Sequence, residues 1–171
     1  MGSQPASRRG GARRGRRLRF RCLTALFGHA GIEWDITTCT DEELAELAQW
    51  IKAYRRLRGL LHSGRMVRVD HPDPAAYVYG VVGDDHAVFA YAQLASAAAD
   101  GPVRLRLPGL VPGARYAVAV CPELPPPVRQ GVPWRPRGTL TGAALAAHGL
   151  AAPMLTPGDG YVLELRRRDP Q

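Results

Sequence analysis

The sequence predicts a short α/β fragment followed by an all-β antiparallel sandwich. Three observations carry that expectation. Phe20–Leu61 reads as an apolar run, a Gly-rich charged loop and a capped amphipathic helix. Beyond Gly64 the hydrophobic period falls from 3.6 to 2. From there to the C-terminus, short alternating segments are separated by Gly, Pro and Asp turns.

The first 19 residues are Gly, Ser, Pro and Arg with one large apolar residue, Leu18. Such a segment buries too little surface to offset its chain entropy, so 1–19 is expected to be a disordered Arg-rich arm. It also locates the net charge of +8. Eight arginines and no acids lie within 1–21, and the 15 basic residues that remain balance 15 acidic ones. The folded part is therefore neutral by count. With no basic face behind the arm and no aromatic interleaving, the composition argues against a nucleic-acid binder.

Phe20–Phe27 is nearly continuous in apolar residues, the pattern of a strand buried on both faces. Gly28 and Gly31 punctuate the loop GHAGIEWD. Thr40-Asp41-Glu42-Glu43 then has the form of a capping box, with three acids at the positive end of the helix dipole. Leu44, Leu47, Ile51, Tyr54 and Leu61 give that helix an apolar face, and Gly64 is placed to end it.

Strands are expected over Arg65–His71, Ala76–Val82, His86–Leu94, Val103–Leu107, Ala114–Cys121 and Tyr161–Arg166. Gly83-Asp84-Asp85 makes a hairpin turn between the second and third. Pro122–Arg137 reads as an extended Pro-rich loop, and Ala143–His148 as a short helical turn.

Few side chains carry a chemical pattern. Glu33 and Asp35 share one face if their segment is extended, and paired carboxylates are the minimum for glycoside hydrolysis. The same two residues would line a substrate or, as the simpler reading, hydrogen-bond loop amides or pair with an arginine from a neighbouring strand. His29 stands alone beside glycines. Its four fellow histidines lack HxH or HExxH spacing, so no metal site is expected. Cys22, Cys39 and Cys121 have neither CxxC spacing nor an even count, which points to a reducing, cytoplasmic setting. No apolar run reaches the ~20 residues of a membrane span. Trp34, Trp50 and Trp134 have flat faces suited to a sugar, Trp134 in the Pro-rich loop being the freest.

The ordered motifs resemble one family. Phe27-Gly28, Gly31-Ile32-Glu33-Trp34-Asp35, Tyr54-Arg55-Arg56-Leu57-Arg58 and Gly64–Val69 are similar, in order, to the end of the catalytic barrel in glycoside hydrolase family 36 α-galactosidases. AVFAYAQL, RLRLPGL, GARYAV, LTGAALAAHGL and YVLEL resemble that family's C-terminal domain. Met1-Gly2-Ser3 is similar to an M-G-S-H stretch after an earlier barrel strand, with Gln4 in place of His.

The resemblance implies that 20–64 is the last strand–helix unit of a TIM barrel and 65–169 a β-sandwich domain. The implied activity of the whole enzyme is retaining hydrolysis of terminal α-galactosides by two aspartates, without a cofactor. Those aspartates belong to earlier barrel strands, so no catalytic residue is expected in this chain, which should be inactive alone. Glu33-Trp34-Asp35 lacks the Lys of the family's K-W-D nucleophile motif. His29, Glu33, Trp34 and Asp35 are then expected at the barrel mouth, Trp134 as a possible sugar platform, and the missing barrel half as the partner. The alternatives are a stand-alone carbohydrate- or protein-binding sandwich and an Arg-arm nucleic-acid binder.

Overall fold

The computed structural model describes residues 18–28, 30–33, 35–97, 103–129, 132–136, 138–153 and 155–168. The arm expected over 1–19 lies outside the described residues up to position 17.

Residues 18–25 form helix α1, where a strand was expected over Phe20–Phe27. A short apolar run does not distinguish a buried strand from a buried helix. Among the described residues no strand pairs with this segment, and its backbone groups are satisfied within the helix. Thr24 donates its hydroxyl back to the carbonyls of Phe20 and Arg21, as a helical threonine does. Leu23 and Leu26, three residues apart, are buried. Arg19 belongs to this helix and pairs with Glu46 at 2.9 Å.

A 3-10 turn, Ile36–Thr38, leads into helix α2, Asp41–Ser63. The capping box at its start is formed: Thr40 Oγ1 accepts from the Glu43 amide at 3.2 Å, and a Glu43 carboxylate oxygen accepts from the Thr40 amide at 3.0 Å. Leu47, Trp50, Ala53, Leu57 and Leu61 are its buried stripe. Gly64 closes it, its N–H donating to Leu60 O at 2.8 Å, with an extended backbone (φ −78°) rather than a left-handed one. Glycine is needed there because a Cβ would strike Val81 and the Leu60 carbonyl.

The strands are β1 (Arg65–Val69), β2 (Ala76–Val82), β3 (His86–Gln93), β4 (Val103–Leu105), β5 (Arg115–Val120), β6 (Val128–Arg129), β7 (Val132–Pro133), β8 (Thr139–Thr141), β9 (Leu150–Ala152) and β10 (Gly160–Arg168); helix α3 (Gly142–Ala147) follows β8. Six of them make one antiparallel sheet in the order β1-β2-β3-β10-β5-β8. Among the described residues two further antiparallel pairs form small sheets, β4 with β9 and β6 with β7.

Alternation divides the large sheet into two faces. Val78, Phe89, Tyr91, Tyr116, Leu163 and Leu165 point to one core with Leu105, Leu107, Leu110 and Leu145 from the β4–β9 side and α3. Tyr79, Val81, Val88, Ala90 and Val162 point to the other, against α1 and α2. β3 is buried on both faces for this reason, which explains its unbroken apolar sequence.

Candidate functional site

The loop singled out by sequence lies at the surface. Its described residues, 28, 30–33 and 35, are all exposed. Asp35 caps the 3-10 turn, its Oδ1 accepting from the Thr37 amide at 2.9 Å and the Thr37 hydroxyl at 2.6 Å. Those bonds, the hydroxyl's first, hold its carboxyl below the ordinary range. Glu33 is exposed on the same loop. His29 and Trp34 lie outside the described residues.

Trp134 does not stand free. It is half-buried against the sheet's larger core, with its ring 5.2 Å from that of Tyr161, which in turn stacks on Tyr91 at 5.4 Å. The Trp134 amide donates to Pro127 O at 2.7 Å, closing the β6–β7 hairpin. One face of the indole therefore belongs to the core.

The densest charged arrangement is one that sequence reasoning missed. Arg56, on the sheet-facing side of α2, grips two carboxylates. Its Nε and Nη2 donate to the oxygens of Glu123 at 2.7 and 2.6 Å. Its Nη1 and Nη2 donate to those of Glu164 at 2.8 and 2.7 Å. Glu164 sits mid-strand in β10, with its side chain 7% exposed. It also accepts from Arg166 at 2.9 Å, and His86 Nε2 lies 2.9 Å away, although angled too poorly for a full hydrogen bond. Cys121 completes the group, its thiol donating to Glu123 at 3.3 Å.

Electrostatics define what this cluster can do. Burial alone would raise the Glu164 pKa, but His86 and Arg56 outweigh it and hold the carboxyl well below its ordinary value. Arg56 likewise lowers Glu123 to about 2. Burial, followed by the Glu123 contact, pushes the Cys121 thiol up to about 12. At neutral pH both carboxylates are ionised and engaged by Arg56, and the thiol stays protonated, an arrangement suited to fastening α2 to the sheet. The sequence signals were a lone acid inside the apolar strand YVLEL and a run of arginines on a helix.

Among the described residues no group of three or more His, Cys, Asp or Glu side chains is placed to hold a metal ion. No described helix is long and apolar enough to cross a membrane.

Comparison with known proteins links the two halves of the chain. The Melibiase family model matches residues 2–64, and the glycosyl hydrolase family 36 C-terminal domain model matches 76–165. An alpha-galactosidase of Escherichia coli is 34% identical over 161 residues, 88% of this chain and 23% of that protein. The solved galactosidase domain of an alpha-galactosidase-sucrose kinase superposes with a TM-score of 0.71 at 26% identity, over 86% of this chain and 19% of that one. The bifunctional alpha-galactosidase/sucrose kinase of Mediterraneibacter gnavus is 31% identical over 99 residues, 56% of this chain and 11% of that protein. The chain thus spans less than a quarter of the length of each. Arg56 falls within the first matched region, and Glu123 and Glu164 within the second.

Proposed function

Because this chain belongs to glycosyl hydrolase family 36, we propose that it serves as the C-terminal region of an α-galactosidase that hydrolyses terminal α-galactosides. The observation that carries the reading is the order of the two family matches, 2–64 and then 76–165, along one chain. In this proposal 20–64 supplies a closing element of a barrel-shaped catalytic domain, with α2 as its outer helix. The exposed loop holding Glu33 and Asp35 then lies beside the barrel mouth. The catalytic carboxylates come from the part of the enzyme represented by the remainder of the relatives' length.

Two features support the assignment of a scaffolding role. Glu123 and Glu164 are locked to Arg56, and Asp35 is engaged in capping a turn. The alternatives of a stand-alone binding module and a nucleic-acid arm are not favoured, since the matches run through both stretches concerned. Unpaired cysteines and the absence of CxxC spacing support a cytoplasmic setting for the enzyme.

The test is a chimera in which this chain replaces the matched 23% of the Escherichia coli relative. Release of nitrophenol from a nitrophenyl α-galactoside is expected from the chimera and not from the chain alone. A folded chimera without turnover, or turnover by the isolated chain, would overturn the proposal.

A further inference from the structure

A groove of about 830 Å³ lies where the end of α2, the start of β1, the β2–β3 turn, the β4–β5 loop and the end of β10 converge. Its volume falls within the range of small-molecule sites, about 300–1,000 Å³. Two arginines bracket two aspartates in it. Arg65 opens β1 opposite Val82, and the Arg167 amide donates to Asp85 O at 2.7 Å, so the turn carrying Asp84 and Asp85 is set between them. The Gly83 N–H closes that turn by donating to His86 O at 2.9 Å.

These four charged side chains are exposed, and among the described residues none of them is in an ion pair. Arg65 Nη2 donates to Gly109 O at 2.8 Å, which steadies the guanidinium and leaves its other donors open. Glycine suits position 109 twice over: its φ is +87°, and a Cβ there would come to 3.1 Å from Arg65 Nη2. Leu60, Val82 and Val111 add apolar surface, Val111 being 48% exposed.

Charge narrows the occupant. A small anion would meet Asp84 and Asp85, and a small cation Arg65 and Arg167, each at like charge. A neutral polyol meets neither penalty. Every hydroxyl donates one hydrogen bond and accepts others, so a single molecule can serve carboxylates and guanidiniums together, and bonds to charged groups are the stronger kind. The C–H faces of a sugar ring suit the apolar part of the lining.

We infer that this groove binds a neutral oligosaccharide, whose hydroxyls donate to Asp84 and Asp85 and accept from Arg65 and Arg167. The inference stands independently of the functional reading above, because the groove's own residues carry it.

The test titrates the isotope-labelled 171-residue chain with raffinose, a neutral trisaccharide, and follows the backbone amides by NMR. Saturable shifts are expected at Gly83, Asp84, Asp85 and Gly109. The Kd should rise at least tenfold in the double variant Asp84→Ala/Arg167→Ala and severalfold in Asp85→Asn. Both variants change exposed side chains, so their thermal melts should match the parent's and separate lost binding from lost folding. Tyr77→Ser, at the other end of β2 and itself an exposed aromatic, should bind as the parent does. Sodium sulfate and the zwitterion glycylglycine should not saturate the same amides. No saturable shift with raffinose, shifts centred on Tyr77, binding indifferent to the groove variants, or tighter saturation by sulfate or glycylglycine than by raffinose would each overturn the inference.

Discussion

Arg56 and Glu164 meet through two parallel hydrogen bonds, Nη1 to Oε1 at 2.8 Å and Nη2 to Oε2 at 2.7 Å, although 108 residues separate them in sequence. The fork joins α2, inside the Melibiase match, to the central strand β10, inside the C-terminal domain match. With Glu123 on its other edge, one guanidinium fixes how the helical layer sits on the sheet.

Removing Arg56 should therefore cost more than a surface ion pair. Breaking a buried pair costs ~3–5 kcal/mol, and the 31% exposure of the Arg56 side chain reduces this to about 2 kcal/mol. Arg56→Met is expected to lower the denaturant midpoint accordingly. Arg56→Met/Glu164→Leu should lose less than the sum of its single variants, because it no longer leaves a buried carboxylate short of its main partner. Additive losses in the cycle would show the two residues to be uncoupled.

The same cluster sets the acid limit of stability. Glu123 falls from an ordinary 4.5 to about 2 in the folded chain, and Glu164 is also held well below 4.5. A depressed carboxylate stabilises the fold above its unfolded pKa, since the unfolded chain then binds protons that the folded chain refuses. Stability from this source should be complete above about pH 5 and decline as the pH falls toward 2. Arg56→Met should flatten that decline in urea titrations between pH 5 and 2.5. An unchanged slope would mean that Arg56 does not set these carboxylates.

Thr40→Ala should cost about 1 kcal/mol by removing the hydroxyl that accepts from the Glu43 amide. Thr40→Ser keeps that oxygen and should restore most of the loss. Thermal melts followed by helical circular dichroism give both values. Equal losses in the two variants would place the effect in the methyl group instead of the cap.

These cases also show what was legible in the sequence. The capping box at Thr40 and the β2–β3 hairpin around Gly83 were readable because each depends on residues a few positions apart. The helix at 18–25 was not: its apolar run suits either state, and the choice depends on whether a strand lies beside it. β8 and β9 are three residues each, too short for periodicity, and are defined by pairing with β5 and β4. The Arg56 cluster escaped because its members come from four distant stretches, and no local pattern announces which arginine of Arg55, Arg56 and Arg58 turns inward. Of the loop residues named from sequence, Glu33 and Asp35 are exposed; their chemistry depends on what faces them.

Trp134 gives the sharpest test of a role assigned from residue type. Its indole packs on Tyr161 at 5.2 Å and forms part of an aromatic row that continues to Tyr91. A half-buried aromatic of this kind contributes about 1–2 kcal/mol through lost area and ring contact. Trp134→Ala should lower the melting temperature of the chain. In the α-galactosidase chimera it should leave the KM for a nitrophenyl α-galactoside within about twofold, because an interaction of 1.4 kcal/mol with substrate would appear as about tenfold. A rise in KM without a fall in melting temperature would instead assign the indole to the sugar, and would require its exposed face, not its packed one, to carry the contact.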